Sequence, residues 1–132
     1  MAVPLTAQSG ATRRALVVDD EETVGQIMGY VLQGLGYAVD HALDGQEALR
    51  MARENSYDAV ICDLLMPGVN GMALYETWQD EKPELTRRVI FVTGDSLGNE
   101  TRDFMERCGC PCIYKPFRLG QLAELVSGLA RT

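Results

Sequence analysis

The sequence lacks any apolar run that approaches the ~20 residues needed for a membrane helix. Its first ten residues also lack the basic start and the long apolar stretch of a signal peptide. We therefore expect a cytoplasmic protein with no membrane contact. Residues 1–12 are predicted to form a flexible leader, and residues 13–132 fall within the usual size of one domain.

Positive charge is scarce, since 12 Lys and Arg residues face 19 Asp and Glu residues, a formal net charge of −7. A surface for duplex nucleic acid needs clustered Lys and Arg to neutralise phosphates. Direct binding to nucleic acid is therefore not expected. Several of the negative charges are crowded into the run Asp19-Asp20-Glu21-Glu22, which favours binding of a divalent cation.

Histidine occurs only as His41, and the four cysteines contain no Cys-x-x-Cys spacing. Both absences argue against a structural zinc site. Three cysteines alternate between Cys108 and Cys112, so a metal site or a disulfide remains an alternative. We favour reduced thiols in a cytosolic protein. The chain also has no nucleotide-binding glycine pattern and no phosphoacceptor histidine context, so it contains no kinase core.

Strand and helix signals alternate five times, which is typical of a single α/β domain with parallel strands and right-handed crossovers. The polar second strand and the short fifth strand suit edges, whereas the apolar first, third and fourth strands suit the middle. The strands are predicted at 15–19, 37–42, 59–63, 89–93 and 112–114. Helices are predicted from Val24 to the Gly34-Leu35-Gly36 stop, at 44–54, around Met72 to Trp78, at 99–107 and at 119–130.

Polar side chains end the predicted strands: Asp19-Asp20, Asp63, Thr93 and Lys115. The carboxyl ends of parallel strands meet at one edge of the sheet, where open α/β sheets bind ligands. Mg²⁺ prefers one or two carboxylates plus waters, and a carboxylate can act as a nucleophile that forms an aspartyl phosphate. A hydroxyl and an ammonium suit phosphoryl oxygens. The joint pattern predicts a magnesium and phosphoryl site.

Each of these residues also has a structural alternative. Asp19 and Asp20 could interact with the dipole of the helix that follows them. Asp63 could cap the next turn, and Thr93 could be an ordinary β-branched strand residue before a turn glycine. Lys115 could protect an edge strand from aggregation. Taken singly, none of these signals is specific.

The motifs in order resemble the receiver domain of two-component response regulators, over residues 14–131. The segments that carry the resemblance are Val17-Val18-Asp19-Asp20-Glu21, Asp63-Leu64-Leu65-Met66-Pro67, Val92-Thr93-Gly94 and Lys115-Pro116-Phe117. The resemblance implies a flavodoxin-like, doubly wound five-stranded parallel sheet in the order 2-1-3-4-5 with helices on both faces.

The resemblance also implies roles for individual residues. Asp63 would accept a phosphoryl group from a phosphohistidine of a histidine kinase or a histidine phosphotransfer protein. Mg²⁺ would be held by Asp20, Asp63 and the main-chain carbonyl of Leu65, with Asp19 acting largely through a metal-bound water. Thr93 and Lys115 would contact the phosphoryl oxygens, and the Lys115–Pro116 peptide bond would be cis.

Phosphorylation would be read on the surface of the fourth helix, fifth strand and fifth helix, a face that leaves room for a homodimer. Here the sequence departs from the family, because Cys112 stands where an aromatic switch residue is usual. We do not expect Tyr114 to act as a substitute, because it is adjacent to Lys115 and is assigned to a different strand phase. These features look more like receivers attached to hybrid sensor kinases. Leu65 and Asp95 occupy positions that influence phosphoryl lifetime in the family.

Three functions are compared. The first is a phosphoacceptor domain, not an enzyme, that assists its own phosphorylation and dephosphorylation. The second is an aspartyl-nucleophile phosphohydrolase, but haloacid-dehalogenase-like enzymes need a second Asp two residues after the nucleophile, where this chain has Leu65. The third is a phosphorylation-independent interaction module, for which the full set of acids, hydroxyl and lysine would be unnecessary.

Overall fold

The computed structural model describes residues 13–94 and 98–129, which form a five-stranded parallel sheet in the order β2-β1-β3-β4-β5. The predicted sheet order and the predicted edge positions of the second and fifth strands are confirmed. The leader at residues 1–12, Asp95 and the predicted end of the last helix at Ala130 lie outside the described residues. The strands are β1 (Arg13–Val18), β2 (Tyr37–Ala42), β3 (Ala59–Asp63), β4 (Val89–Thr93) and β5 (Cys112–Tyr114).

Helices cover both faces of the sheet, as predicted. The helices are α1 (Glu22–Gly34), α2 (Gly45–Glu54), α3 (Gly71–Glu81), α4 (Asn99–Cys108) and α5 (Leu119–Leu129). One core cluster joins the sheet to α1 and α5, and a second joins the opposite face to α2, α3 and α4. The site residues therefore sit on a sheet whose two sides are both closed off from water.

The central strands are apolar except at their ends, because both of their faces are covered. Every residue of β3 and of β4 is buried. Successive side chains of a strand point to opposite faces, so Leu16 and Val18 of β1 join one core cluster whereas Ala15 and Val17 join the other. The sheet is thereby fixed from both sides.

Side-chain caps fix the starts of two helices next to the ends of strands. Oδ1 of Asp44 accepts a hydrogen bond of 2.8 Å from the N–H of Glu47, and Glu47 accepts one of 3.1 Å from the N–H of Leu43. Oδ1 of Asn70 accepts one of 3.0 Å from the N–H of Ala73. These bonds satisfy amide groups that a helix start leaves unpaired.

The structure differs from the prediction in two places. The first strand covers Arg13–Val18 rather than 15–19, because Arg13 and Arg14 pair with Tyr37 and Ala38 of β2. A 3-10 helix at Pro83–Arg88 was not predicted, since its six residues are too few to show an apolar period. Leu85 anchors this short helix in the core.

Among the residues that the structure describes, no helix is both long and apolar enough to cross a membrane. The four cysteines are free thiols, and Cys62 is fully buried.

Replacing the buried Ile61 by Ala is expected to lower the free energy of unfolding by about 2–5 kcal/mol, because it leaves a cavity in the core cluster that joins the sheet to α1 and α5. Ile61 is 0% exposed, whereas Ile27 of α1 is 44% exposed. The matched control Ile27→Ala removes the same atoms and should change the free energy by less than about 1 kcal/mol. Urea unfolding measures both, and equal losses would contradict the described core.

Candidate functional site

The predicted site residues meet at the carboxyl edge of the sheet. Asp19 directly follows β1, Asp63 ends β3, Thr93 ends β4 and Lys115 directly follows β5. Backbone hydrogen bonds hold the strand ends in step: the N–H of Leu64 donates to the carbonyl of Val92 at 2.8 Å, and that of Lys115 donates to the carbonyl of Thr93 at 2.7 Å. The Lys115–Pro116 bond is cis, as the resemblance implied.

Three carboxylates form a cluster at this edge. Oxygens of Asp19, Asp20 and Asp63 lie within 4.8 Å of one another. Asp19 and Asp63 are 0% and 6% exposed, whereas Asp20 is exposed. The chain bends after β1, where Oδ1 of Asp19 accepts a hydrogen bond of 2.8 Å from the N–H of Glu21. This bend allows two adjacent acids to reach one point, which an extended strand would not allow.

Two buried polar atoms in the site have no hydrogen-bond partner, Oδ2 of Asp19 and Oγ1 of Thr93. Such atoms are costly because they have left water without gaining a new partner. A divalent cation would satisfy the carboxylate oxygen, and an anionic oxygen would accept a hydrogen bond from the hydroxyl. Three carboxylates are the hard oxygen donors that Mg²⁺ prefers, so the residues present fit a metal site.

The ammonium of Lys115 faces two of the acids. Its Nζ lies 3.5 Å from Oδ2 of Asp63 and 3.8 Å from Oδ2 of Asp19. Both distances exceed the 2.7–2.9 Å typical of a charge-assisted hydrogen bond. One ammonium therefore interacts loosely with two buried carboxylates, and the cluster keeps an excess of negative charge.

Burial raises the pKa of Asp63 and of Asp19 above the ordinary aspartate value of 3.8. The positive charge of Lys115 acts in the opposite direction on both pKa values, and the neighbouring carboxylate of Asp19 raises that of Asp63 further. The protein without a cation therefore disfavours the ionised site.

The turn after β3 is held close under Asp63. The N–H of Leu65 donates a hydrogen bond of 3.1 Å to Oδ1 of Asp63, and the Leu65 side chain is 46% exposed. Gly71 begins α3 with its N–H bonded to the carbonyl of Leu64 at 3.0 Å. A Cβ at position 71 would lie 2.9 Å from the carbonyl oxygen of Asp63. This close approach at Gly71 was not predicted from the sequence, and the only local signal for it is the position of the glycine directly after Asn70.

Cys112 fills part of the core behind the site. It is partly buried and packs against the cluster that contains Phe91 and Phe104. Tyr114 is 51% exposed. Ile113, between them, belongs to the core cluster on the opposite face. Cys112 and Tyr114 are two residues apart and therefore share a face of β5, so the expectation that they differ in strand phase is wrong.

Comparison with known proteins places this geometry in a family. The family model described as "Response regulator receiver domain" matches residues 15–127. The transcriptional regulatory protein YrkP of Bacillus subtilis is 33% identical over 119 residues, which are 89% of this chain and 50% of that protein. The sensor histidine kinase RcsC of Salmonella typhi is 32% identical over 92% of this chain and 13% of its own length. The chain thus spans half or less of these curated relatives.

A solved structure shows the same fold with a ligand. The response regulator TrrA of Thermotoga maritima, determined in complex with Mg²⁺ and BeF, is 31% identical and superposes with a TM-score of 0.76. The similarity covers 89% of this chain and 98% of that one.

Without divalent cations at pH 7, Asp63→Asn is expected to raise the free energy of unfolding. A pKa raised in the folded state means that the protonated carboxyl stabilises the fold below about pH 4, and this stability is lost as the pH rises through the folded-state pKa. Asparagine cannot ionise, so the free energy of unfolding of Asp63→Asn should exceed that of the wild type most at pH 7. This difference should shrink as the pH falls toward 4.

Urea unfolding in EDTA at the two pH values measures this difference. The control Asp80→Asn changes an exposed carboxylate of α3 and should have little effect at either pH. An Asp63→Asn protein that is less stable than the wild type at pH 7 would contradict the proposed electrostatics of the site.

Proposed function

Because this chain belongs to the response regulator receiver domain family, we propose that Asp63 accepts a phosphoryl group from a phosphohistidine and that Mg²⁺ is its cofactor. The observation that carries the proposal is the buried Asp63 carboxylate together with two nearby buried polar atoms that have no hydrogen-bond partner, Oδ2 of Asp19 and Oγ1 of Thr93. A cation and a phosphoryl group together would satisfy both atoms. Asp19, Asp20, Asp63 and the carbonyl of Leu65 are the proposed metal ligands, with Asp19 acting largely through water.

The proposed transfer forms one bond and breaks one. A carboxylate oxygen of Asp63 attacks phosphorus while the P–N bond of a protonated phosphohistidine breaks, and the neutral imidazole leaves with the electron pair of that bond. The N–H of Leu65 already donates to Oδ1 of Asp63, which orients the carboxylate. Asp19, Asp20 and Asp63 would hold Mg²⁺, which would supply positive charge to offset that of the acids and the phosphoryl group.

Lys115 and Thr93 have separate roles in this proposal. The Lys115 ammonium, 3.5 Å from Asp63, is close enough to move from the carboxylate to a phosphoryl oxygen. The Thr93 hydroxyl, which has no partner, donates to another phosphoryl oxygen. Both contacts place donors where the transferred charge develops.

The output surface is proposed to consist of α4, β5 and α5. Thr93 ends β4, so a hydroxyl drawn toward the phosphoryl group shifts the chain that leads into α4. Since Cys112 replaces the usual aromatic residue, this shift acts without rotation of a ring. Tyr114 and Leu119 are 51% and 46% exposed on this surface, which supports a role in docking a partner or a second copy.

The phosphodonor is proposed to be a histidine kinase or a histidine phosphotransfer protein, in the cytoplasm, where free cysteines are stable. The net charge of −7 supports the absence of direct nucleic-acid binding. In this proposal the domain is not an enzyme for external substrates, and it assists only its own phosphorylation and dephosphorylation.

The phosphoacceptor role is tested with a small-molecule phosphodonor and MgCl₂, followed by intact mass spectrometry. The wild type should gain one phosphoryl group, which is base-labile as an acyl phosphate. Asp63→Asn and samples in EDTA should gain none, because the nucleophile or the cation is missing. The control Asp80→Asn, an exposed carboxylate of α3, should label like the wild type.

Labelling that survives Asp63→Asn would overturn the assignment of the phosphoacceptor. Continuous release of phosphate from unrelated phosphoesters would instead favour the aspartyl phosphohydrolase. Failure of every sample to label in Mg²⁺ would favour the phosphorylation-independent interaction module.

The two donor residues are tested by Thr93→Val and Lys115→Met, which keep the side-chain volume similar. Lys115→Met should slow phosphorylation by about tenfold or more, because it removes charge from the developing phosphoryl group. Thr93→Val should leave metal-free stability unchanged or higher, since its hydroxyl has no partner to lose. It should nevertheless reduce the spectral change of α4 after phosphorylation.

The control Thr77→Val removes a hydroxyl that donates to the carbonyl of Ala73 within α3. It should change neither the rate of phosphorylation nor the spectral change of α4. Nuclear magnetic resonance spectra of the unphosphorylated and phosphorylated proteins measure the change in α4. A wild-type response in Thr93→Val would contradict the proposed coupling.

A further inference from the structure

Helix α1 presents two glycines to the edge strand β2. Gly25 faces His41, and Gly29, one helical turn later, faces Val39. A Cβ at position 29 would lie at an ordinary contact distance of 3.6 Å from Cγ1 of Val39. A Cβ at position 25 would overlap the imidazole ring of His41. The ring therefore occupies space that any side chain at position 25 would need.

His41 bonds to a site residue through the main chain. Its Nε2 lies 3.0 Å from the carbonyl oxygen of Asp19. A carbonyl oxygen only accepts hydrogen bonds, so Nε2 carries the hydrogen and donates it. The predicted role of His41 was that of an edge-strand residue, and this contact was not foreseen.

The bond extends the sheet past the end of its ladder. The paired register of β1 and β2 ends at Val18 and Ala42. The N–H of Asp19 still donates to the carbonyl of Ala42 at 3.1 Å. His41 then supplies a side-chain donor for the Asp19 carbonyl, so β2 holds both sides of this residue.

The remaining contact of Asp19 leaves one oxygen for the site. Its Oδ1 accepts the N–H of Glu21, whereas its buried Oδ2 accepts no hydrogen bond and has only the Lys115 ammonium at 3.8 Å. Any rotation of the Asp19 peptide would turn this oxygen and the adjacent Asp20 away from Asp63. Groups that orient metal ligands in this way influence metal affinity without touching the metal.

We propose that His41, seated against Gly25, is a positioning residue that fixes the Asp19-Asp20 turn for cation binding. This inference rests on the proposed function, because it assigns the turn to a metal site. Gly25 is required to leave room for the ring. The structural alternative is that His41 only fills space between α1 and β2. In that case an apolar side chain of similar size would give the same Mg²⁺ affinity.

Two matched pairs of variants separate the alternatives. Gly25→Ala and Gly29→Ala make the same change on the same face of α1, but only the first displaces the ring. His41→Gln keeps an N–H donor the same number of bonds from the backbone, whereas His41→Leu fills the space without a donor. Affinity for MgCl₂ is measured by nuclear magnetic resonance titration of the full chain.

We expect Gly25→Ala and His41→Leu to weaken Mg²⁺ binding by about tenfold, whereas Gly29→Ala and His41→Gln stay within about twofold of the wild type. Amide hydrogen exchange without Mg²⁺ gives a second readout. The N–H of Glu21, which donates to Asp19, should lose protection in Gly25→Ala and His41→Leu. It should keep its protection in Gly29→Ala and His41→Gln. A loss of fold in Gly25→Ala leaves the comparison of His41→Leu with His41→Gln decisive.

Wild-type Mg²⁺ affinity and wild-type protection of Glu21 in His41→Leu would overturn the proposal. The same holds if His41→Gln behaves like His41→Leu, since the donor would then be irrelevant. If the wild type itself binds no Mg²⁺ but the exchange pattern appears as described, the proposed metal site fails while the positioning of the turn by His41 stands.

Discussion

Two carboxylates are buried next to each other at the carboxyl edge of the sheet, and the ammonium of Lys115 faces both at more than 3.4 Å. This arrangement is unfavourable without a ligand, because burial raises the pKa of each acid and so disfavours its ionised form. The fold must therefore hold the acids together against their repulsion. The unfavourable charge is also the source of the proposed affinity for a cation and a phosphoryl group, since both relieve it.

Rigid neighbours hold the acids in place. Gly71 lets the start of α3 approach the backbone of Asp63, and Gly25 lets the ring of His41 reach the backbone of Asp19. Both contacts act on the main chain at the end of a strand, so they set the direction of a carboxylate without contacting the carboxylate. The carboxylates of the site repel each other, so their backbone must be held in a fixed position. A more mobile backbone would let the acids move apart into solvent.

The proposed switch follows from the same geometry. The Thr93 hydroxyl is a buried donor without a hydrogen-bond partner, and it stands at the end of β4, on the side that leads to α4. In the proposed switch, a hydrogen bond from this hydroxyl to a phosphoryl oxygen therefore links the chemistry at Asp63 to a surface on the far side of β4. Cys112 packs into the core where the family usually has an aromatic ring, so the response must pass through the backbone and helix positions rather than through a ring.

Much of the fold could be predicted from the sequence, because buried parallel strands are apolar throughout and end abruptly at polar residues. The strand order and the grouping of Asp19, Asp63, Thr93 and Lys115 at one edge followed from that pattern and the family resemblance. The start of β1 at Arg13 could not be predicted, since it depends on pairing with β2 and on an ion pair of 2.6 Å between Arg14 and Asp40. The 3-10 helix at Pro83–Arg88 was missed for a related reason, because Leu85 alone anchors it.

The sequence by itself determined which chemical groups the site contains, because each group occupies a strand end whose position follows from local hydrophobic pattern. Only the tertiary structure decided how those groups are held. The contact of His41 with Asp19 spans 22 residues and depends on the space left by Gly25. Such a fit between a helix and an edge strand is a property of their packing in three dimensions, and no periodicity along the chain encodes it.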